Sequence, residues 1–94
     1  MPPAEQAYHG TVHYSGQVQG VGFRYTTRSL ARGFEVAGYV QNLPDGRVRV
    51  EVEGKEPDVN AFLAAIGERM SGCVHHAEHT GEWRAPQFHG FAIR

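Results

Sequence analysis

One cysteine, Cys73, stands among the 94 residues, so no intramolecular disulfide can form. A lone thiol suits a reducing compartment, and the expected location is cytoplasmic. No stretch approaches the ~18 consecutive apolar residues that a membrane helix needs. The opening residues, MPPAEQA, offer neither a basic start nor an apolar run, so no signal peptide is read there. Residues 1–7 are read as a flexible tail and residues 8–94 as a single domain. An excess of one charge is also missing: nine Lys and Arg face ten Asp and Glu, a formal net charge of −1. Nucleic-acid binders usually carry a basic excess or stripe, which argues against that partner. GxxxxGK[ST] is absent, which excludes a P-loop.

What is present suffices for one modest core: 40% hydrophobic residues, including five Phe, four Tyr and one Trp. From Tyr8 to Val18 the positions alternate Tyr8, Gly10, Val12, Tyr14, Gly16, Val18 against polar neighbours, the period of a strand with one face inward. Phe23, Thr27, Leu30, Ala31 and Phe34 then recur at helical spacing, with Gly33 placed for a left-handed cap. FEVAGYVQN (34–42) reads as a second strand. LPDGR supplies a turn, and RVRVEVE (47–53) turns Val48, Val50 and Val52 inward. Pro57 suits the first position of a second helix, whose apolar stripe is Val59, Phe62, Leu63, Ile66 and Met70. Weaker strands follow at about 74–83 and 88–94. The order predicts an α+β, ferredoxin-like βαββαβ sandwich. Its four- to five-stranded, mostly antiparallel sheet carries two helices on one face.

SGQVQGVGFR (15–24) joins the first strand to the first helix. Glycine is costly inside regular structure, so its density at 16, 20 and 22 needs a reason. Such a turn can aim several backbone N–H groups into one concavity, and the following helix adds its own orphan N–H groups and positive dipole end. Arg24, on the first helical turn, can grip two phosphate oxygens at once. GVGFRY begins like a dinucleotide fingerprint but has Tyr25 where the third glycine belongs. A plain tight turn with a surface arginine explains the turn equally well. Asn42 ends its strand at the parity of Val36 and Val40, the helix-facing side, although an asparagine opening the Pro44 turn is also common.

GQVQGVGFR followed by GYVQNLPDGRVRVEVEG resembles the acylphosphatase family in both segments and in their order. The resemblance is detailed from about Gly10 to Gly54 and looser to the final FAIR. It implies metal-independent hydrolysis of a small-molecule acyl phosphate to carboxylate and inorganic phosphate, with no cofactor. Phosphate, or a similar anion, would be held by the 16–24 loop: the backbone N–H groups of Gln19, Gly20, Val21, Gly22 and Phe23, together with Arg24. Asn42 would orient the attacking water. Tyr14 departs from the family, which more often has an aliphatic residue there; the expected consequence is in packing rather than chemistry.

No general base is evident near the turn. A carboxylate is a good leaving group, so positioning and charge neutralisation can carry most of the catalysis. His75, His76 and His79 invite a metal reading, but on a strand His76 points away from the other two, and a solvated face is expected. Cys73 reads as a small, partly buried thiol. Arg28 with Arg32, and Arg47 with Arg49, read as solvated faces. The rival function is a non-catalytic phosphate-binding or regulatory ferredoxin-like module. RNA recognition on the sheet would want basic residues and stacking aromatics that RVRVEVE lacks. Nothing requires more than a monomer.

Overall fold

The computed structural model describes residues 6–94. Residues 1–5 of the expected tail lie outside the described residues, and Ala7 already belongs to the first strand. The elements are β1 (Ala7–Gly16), α1 (Phe23–Ala31), β2 (Val36–Asn42), β3 (Val48–Gly54), α2 (Glu56–Arg69), β4 (Val74–Arg84) and β5 (Phe91–Ile93). They form one five-stranded sheet in the order β4-β1-β3-β2-β5. All pairings are antiparallel except β2 with β5. This is the ferredoxin-like arrangement with a short parallel strand added beside β2.

Alternation decides which face is dry. The register sets Val12, Val50 and Val40 in one cross-strand row and Tyr14, Val48 and Asn42 in the next. Val40, Val48, Val50 and Val52 are fully buried, each worth about 1.5–3 kcal/mol relative to exposure. Both helices lie on this side: Phe23 and Ala31 of α1 and Val59, Phe62 and Ile66 of α2 join the same core cluster. The expected stripe of α2 is therefore its core face, with Leu63 partly buried. Pro57 is the second residue of α2 rather than the first, because Glu56 opens the helix after Lys55.

Three local expectations change. Gly33 is not left-handed. α1 ends by tightening instead: the N–H groups of Arg32, Gly33 and Phe34 bond to the carbonyls of Ser29, Leu30 and Ala31 at 3.0–3.3 Å. These i→i+3 bonds satisfy the terminal carbonyls without a positive φ. The last strand shrinks from 88–94 to Phe91–Ile93, since residues 85–90 cross the second sheet face. On that face Arg49 is not solvated: it is half-buried and donates to Gln41 Oε1 at 3.0 Å. Glu53 is only 4% exposed and accepts the backbone N–H groups of Gln87 and Phe88 at 2.8–3.0 Å.

Candidate active site

Between β1 and α1 the chain needs a reversal that ends in a helix start. Val18, 1% exposed, pins the loop into the core, while Gln17, Gln19, Gly20, Val21 and Gly22 remain at the surface. Gly20 and Gly22 both have φ 78°, in the left-handed region, and a Cβ at either would meet nothing within 4 Å. Their glycines therefore serve the backbone turn and leave its outer side open. Gly16 has a different reason. A Cβ there would lie 2.6 Å from the Cys73 carbonyl oxygen, where the β1–β4 pairing shifts register. It belongs to strand packing, and the loop open to a ligand runs from Gln19 onward.

Gly22 is the N-cap of α1 and supplies no side-chain cap. The first helical bond runs from the Thr26 N–H to the Gly22 carbonyl at 2.9 Å. The N–H groups of Phe23, Arg24 and Tyr25 thus precede the intrahelical ladder. No acidic side chain stands in this first turn, so the positive end of the helix dipole is uncompensated there. Arg24 is exposed and, among the described residues, forms no ion pair.

A cleft of about 220 Å³ opens at this point, lined by Val18, Gly20, Gly22, Phe23, Arg24, Tyr25, Asn42 and Ile93. Asn42 reaches it from the end of β2, on the helix-facing side that its parity predicted. Its Oδ1 is buried and, among the described residues, has no hydrogen-bond partner. A buried acceptor without a donor costs about 1–3 kcal/mol, so this oxygen calls for a donor from the cleft. Tyr14 lies in the same cross-strand row, and its ring tilts against Phe23 with centroids 5.1 Å apart. Burial raises the Tyr14 phenol above its ordinary range, so it stays neutral and acts as packing beneath the loop.

These are strand, loop and helix features of one known architecture. Residues 10–93 match the sequence model of the family described as Acylphosphatase. The chain belongs to the acylphosphatase family. An acylphosphatase of Archaeoglobus fulgidus is 53% identical over 55 residues, spanning 58% of this chain and 62% of that protein. One from Syntrophus aciditrophicus is 41% identical over 83 residues, spanning 87% and 86%. The chain thus spans less than two thirds of the first relative's length and most of the second's. The crystal structure of acylphosphatase from Bacillus subtilis superposes with a TM-score of 0.83 at 30% identity, covering 93% of this chain and 98% of that one.

Within this acylphosphatase-family chain, Gly20, Gly22, Phe23, Arg24 and Asn42 meet at one cleft, while Gln19 and Val21 do not line it. Val21 points into solvent at 46% exposure. Gln19 does something the sequence did not reveal. Its Nε2 donates to the carbonyls of Leu43 at 2.8 Å and Arg47 at 3.0 Å. These carbonyls flank the β2–β3 turn just past Asn42, so one side chain ties the loop to the strand end that bears Asn42. A polar residue beside the glycines was the available signal, but its partners are 24 and 28 positions away. Tyr25 and Ile93 also line the cleft unforeseen.

The histidines stay apart from this site. His75, His76 and His79 are exposed on β4, and His76 Nε2 lies 3.5 Å from Glu78 Oε1. Among the described residues, no three potential ligands converge to hold a metal ion. Cys73 is half-buried, and its carbonyl accepts the Gln17 N–H at 3.0 Å, which helps seat the loop. No helix in the described residues is long and apolar enough to cross a membrane.

Proposed function

We propose that this chain hydrolyses acyl phosphates at the cleft between the 19–24 loop and Asn42. The observation carrying the proposal is that Arg24, the open N-terminus of α1 and the unpartnered Oδ1 of Asn42 share one cleft. The phosphoryl group accepts hydrogen bonds from the loop and helix N–H groups, and the Arg24 guanidinium donates to two of its oxygens. These donors supply the positive charge that a metal would otherwise bring. Asn42 Oδ1 accepts one O–H of a water and turns that water's lone pair toward phosphorus.

The new bond forms between the water oxygen and phosphorus, and the bond from phosphorus to the acyl oxygen breaks. The carboxylate leaves with that electron pair, and the proton shed by the water passes to a phosphate oxygen. Carboxylate and dihydrogen phosphate are the products, so atoms and charge balance. Because the leaving group is stable as an anion, no side-chain acid is required. Preorganised donors around the developing charge are the main source of rate in this scheme.

Benzoyl phosphate hydrolysis, followed with and without chelator, tests the reading. The parent is expected to turn over in both conditions and to be inhibited competitively by inorganic phosphate. Phosphate binding without turnover would favour the rival, a module that retains the cradle alone. Turnover unaffected by both Arg24→Ala and Asn42→Ala would overturn the site.

A further inference from the structure

The large hydrophobic side chains exposed among the described residues are Val21 at 46%, Tyr25 at 68% and Trp83 at 38%. Trp83 lies on β4 against Tyr8, away from the cleft. The other two belong to the segment carrying Arg24. Val21 sits between the two cleft-lining glycines, and Tyr25 itself lines the cleft. Ile93 completes an apolar margin from the opposite side: β5 pairs with β2 in the register Val40–Ile93, two residues before Asn42. An exposed tyrosine next to the anion-binding arginine has no core to fill. The Arg28 guanidinium lies over its ring, 5.2 Å from the centroid, which holds the ring in place from one helical turn away.

From this margin we propose that Tyr25 and Ile93 form an acyl-binding subsite, so that the chain selects aromatic or branched apolar acyl phosphates over acetyl or carbamoyl phosphate. The inference rests on the hydrolytic reading above. With the phosphate fixed against the loop N–H groups and Arg24, the acyl carbon is carried toward the mouth of the cleft. The surfaces met there are a phenol ring and an aliphatic side chain. A planar aromatic acyl group gains contact with both, whereas acetyl and carbamoyl, being smaller, cover less of this apolar surface. Since the two contacts lie outside the phosphate cradle, they act on substrate choice without altering anion binding.

The test measures kcat/KM for benzoyl, acetyl and carbamoyl phosphate, each normalised to its uncatalysed hydrolysis. Benzoyl phosphate is expected to lead by about tenfold or more, the range an apolar pocket supplies for a few extra carbons. Tyr25→Ser should shrink that lead about threefold to tenfold, mainly through KM for benzoyl phosphate. Tyr25→Phe should keep the lead, and inhibition by inorganic phosphate should be unchanged in both variants. Trp83→Ala, an exposed apolar change outside the cleft, should leave the lead intact. Turnover of all three substrates with equal normalised kcat/KM, or a lead insensitive to Tyr25→Ser, overturns the subsite. Absence of turnover by the parent on every substrate instead overturns the hydrolytic reading beneath it.

Discussion

On the helix side of the sheet, Val12, Val50 and Val40 form one cross-strand row; one position along, Thr11, Glu51 and Tyr39 form the row on the other side. The same three strands thus carry a dry face and an ion-paired face. The second face is covered by residues 85–90 and Arg94 rather than by helices. Phe88 stacks on His9 with centroids 5.8 Å apart and meets Tyr39 edge-on at 5.7 Å. The Arg94 guanidinium sits over the Tyr39 ring, 4.1 Å from its centroid. Beneath this cover, Glu51 accepts from the Tyr39 hydroxyl and, at 2.9 Å, from His9 Nε2. An ionised carboxylate can only accept, so Nε2 carries the proton; the Arg84 Nη2 3.1 Å from that nitrogen finds no lone pair there and is drawn to Glu51 at 3.7 Å.

The difference teaches where function can sit in a chain this small. On the charged face Glu51 and Glu53 are both bonded within the protein, and Glu53 holds the C-terminal segment down through the Gln87 and Phe88 N–H groups. On the apolar face Thr27 is buried within the core, while Arg24 and Asn42 gather at the edge, where β2 ends and α1 begins. There, among the described residues, Arg24 forms no ion pair and Asn42 Oδ1 no hydrogen bond. Unlike the buried Thr27 Oγ1 and His9 Nδ1, which also lack partners among the described residues, these two line an open cleft.

Substitutions on the two faces should therefore separate activity from stability. The largest effect is expected from Arg24→Ala: kcat/KM for benzoyl phosphate falls by about 10²–10³-fold or more, and inhibition by phosphate weakens in parallel. Its thermal midpoint should hardly move, because the side chain is exposed and, among the described residues, forms no ion pair. Asn42→Ala is expected to lower kcat about 10²-fold with KM nearly unchanged, as for removal of a positioned polar group. Gln19→Leu comes next. Losing both donations frees the loop from the β2–β3 turn, so KM and the phosphate inhibition constant should rise together, about tenfold, with a smaller loss in kcat. Gln19→Glu should be no better, since a carboxylate cannot donate to carbonyls.

The smallest effect on activity and the largest on stability are expected from Glu51→Gln. Urea unfolding should show a loss of about 1–3 kcal/mol while kcat/KM changes less than twofold well below the midpoint. Burial pushes the Glu51 carboxyl upward, but hydrogen bonds from Tyr39 and His9 and the nearby positive charges outweigh it, so its value lies below the ordinary 4.5. A lowered carboxyl contributes stability that is complete above the ordinary value and is lost as pH falls through the lowered one. The parent should accordingly lose stability on acidification in that window, and Glu51→Gln should flatten the slope. Tyr39 has the opposite sense. Burial first, then its bond to Glu51, raises its value, so its contribution is present below the ordinary 10.0 and fades as pH climbs past it.

Much of this was legible in the sequence where a single local rule governs. Strict alternation in β3 identified Val48, Val50 and Val52 as core, and parity alone put Asn42 on the helix side. The spacing of Val59, Phe62 and Ile66 gave the buried face of α2. The glycine-rich turn was legible as a strand-to-helix turn, but not that Gly16 serves strand packing while Gly20 and Gly22 serve the turn. That distinction depends on the backbone of residues 73–75, far along the chain. Arg49 looked solvated because alternation says only that it opposes the core, not that residues 85–90 return to cross that face.

What the sequence determined by itself is the set of elements and the face each residue takes, because periodicity and turn chemistry act over a few positions. Tertiary structure alone decided the pairings between distant segments. It joined Gln19 to Leu43 and Arg47, laid Phe88 over His9 and Tyr39, and brought Ile93 to the cleft beside Tyr25. Such contacts depend on strand order and on a short parallel strand at the sheet edge, and no local pattern encodes which distant partner will arrive.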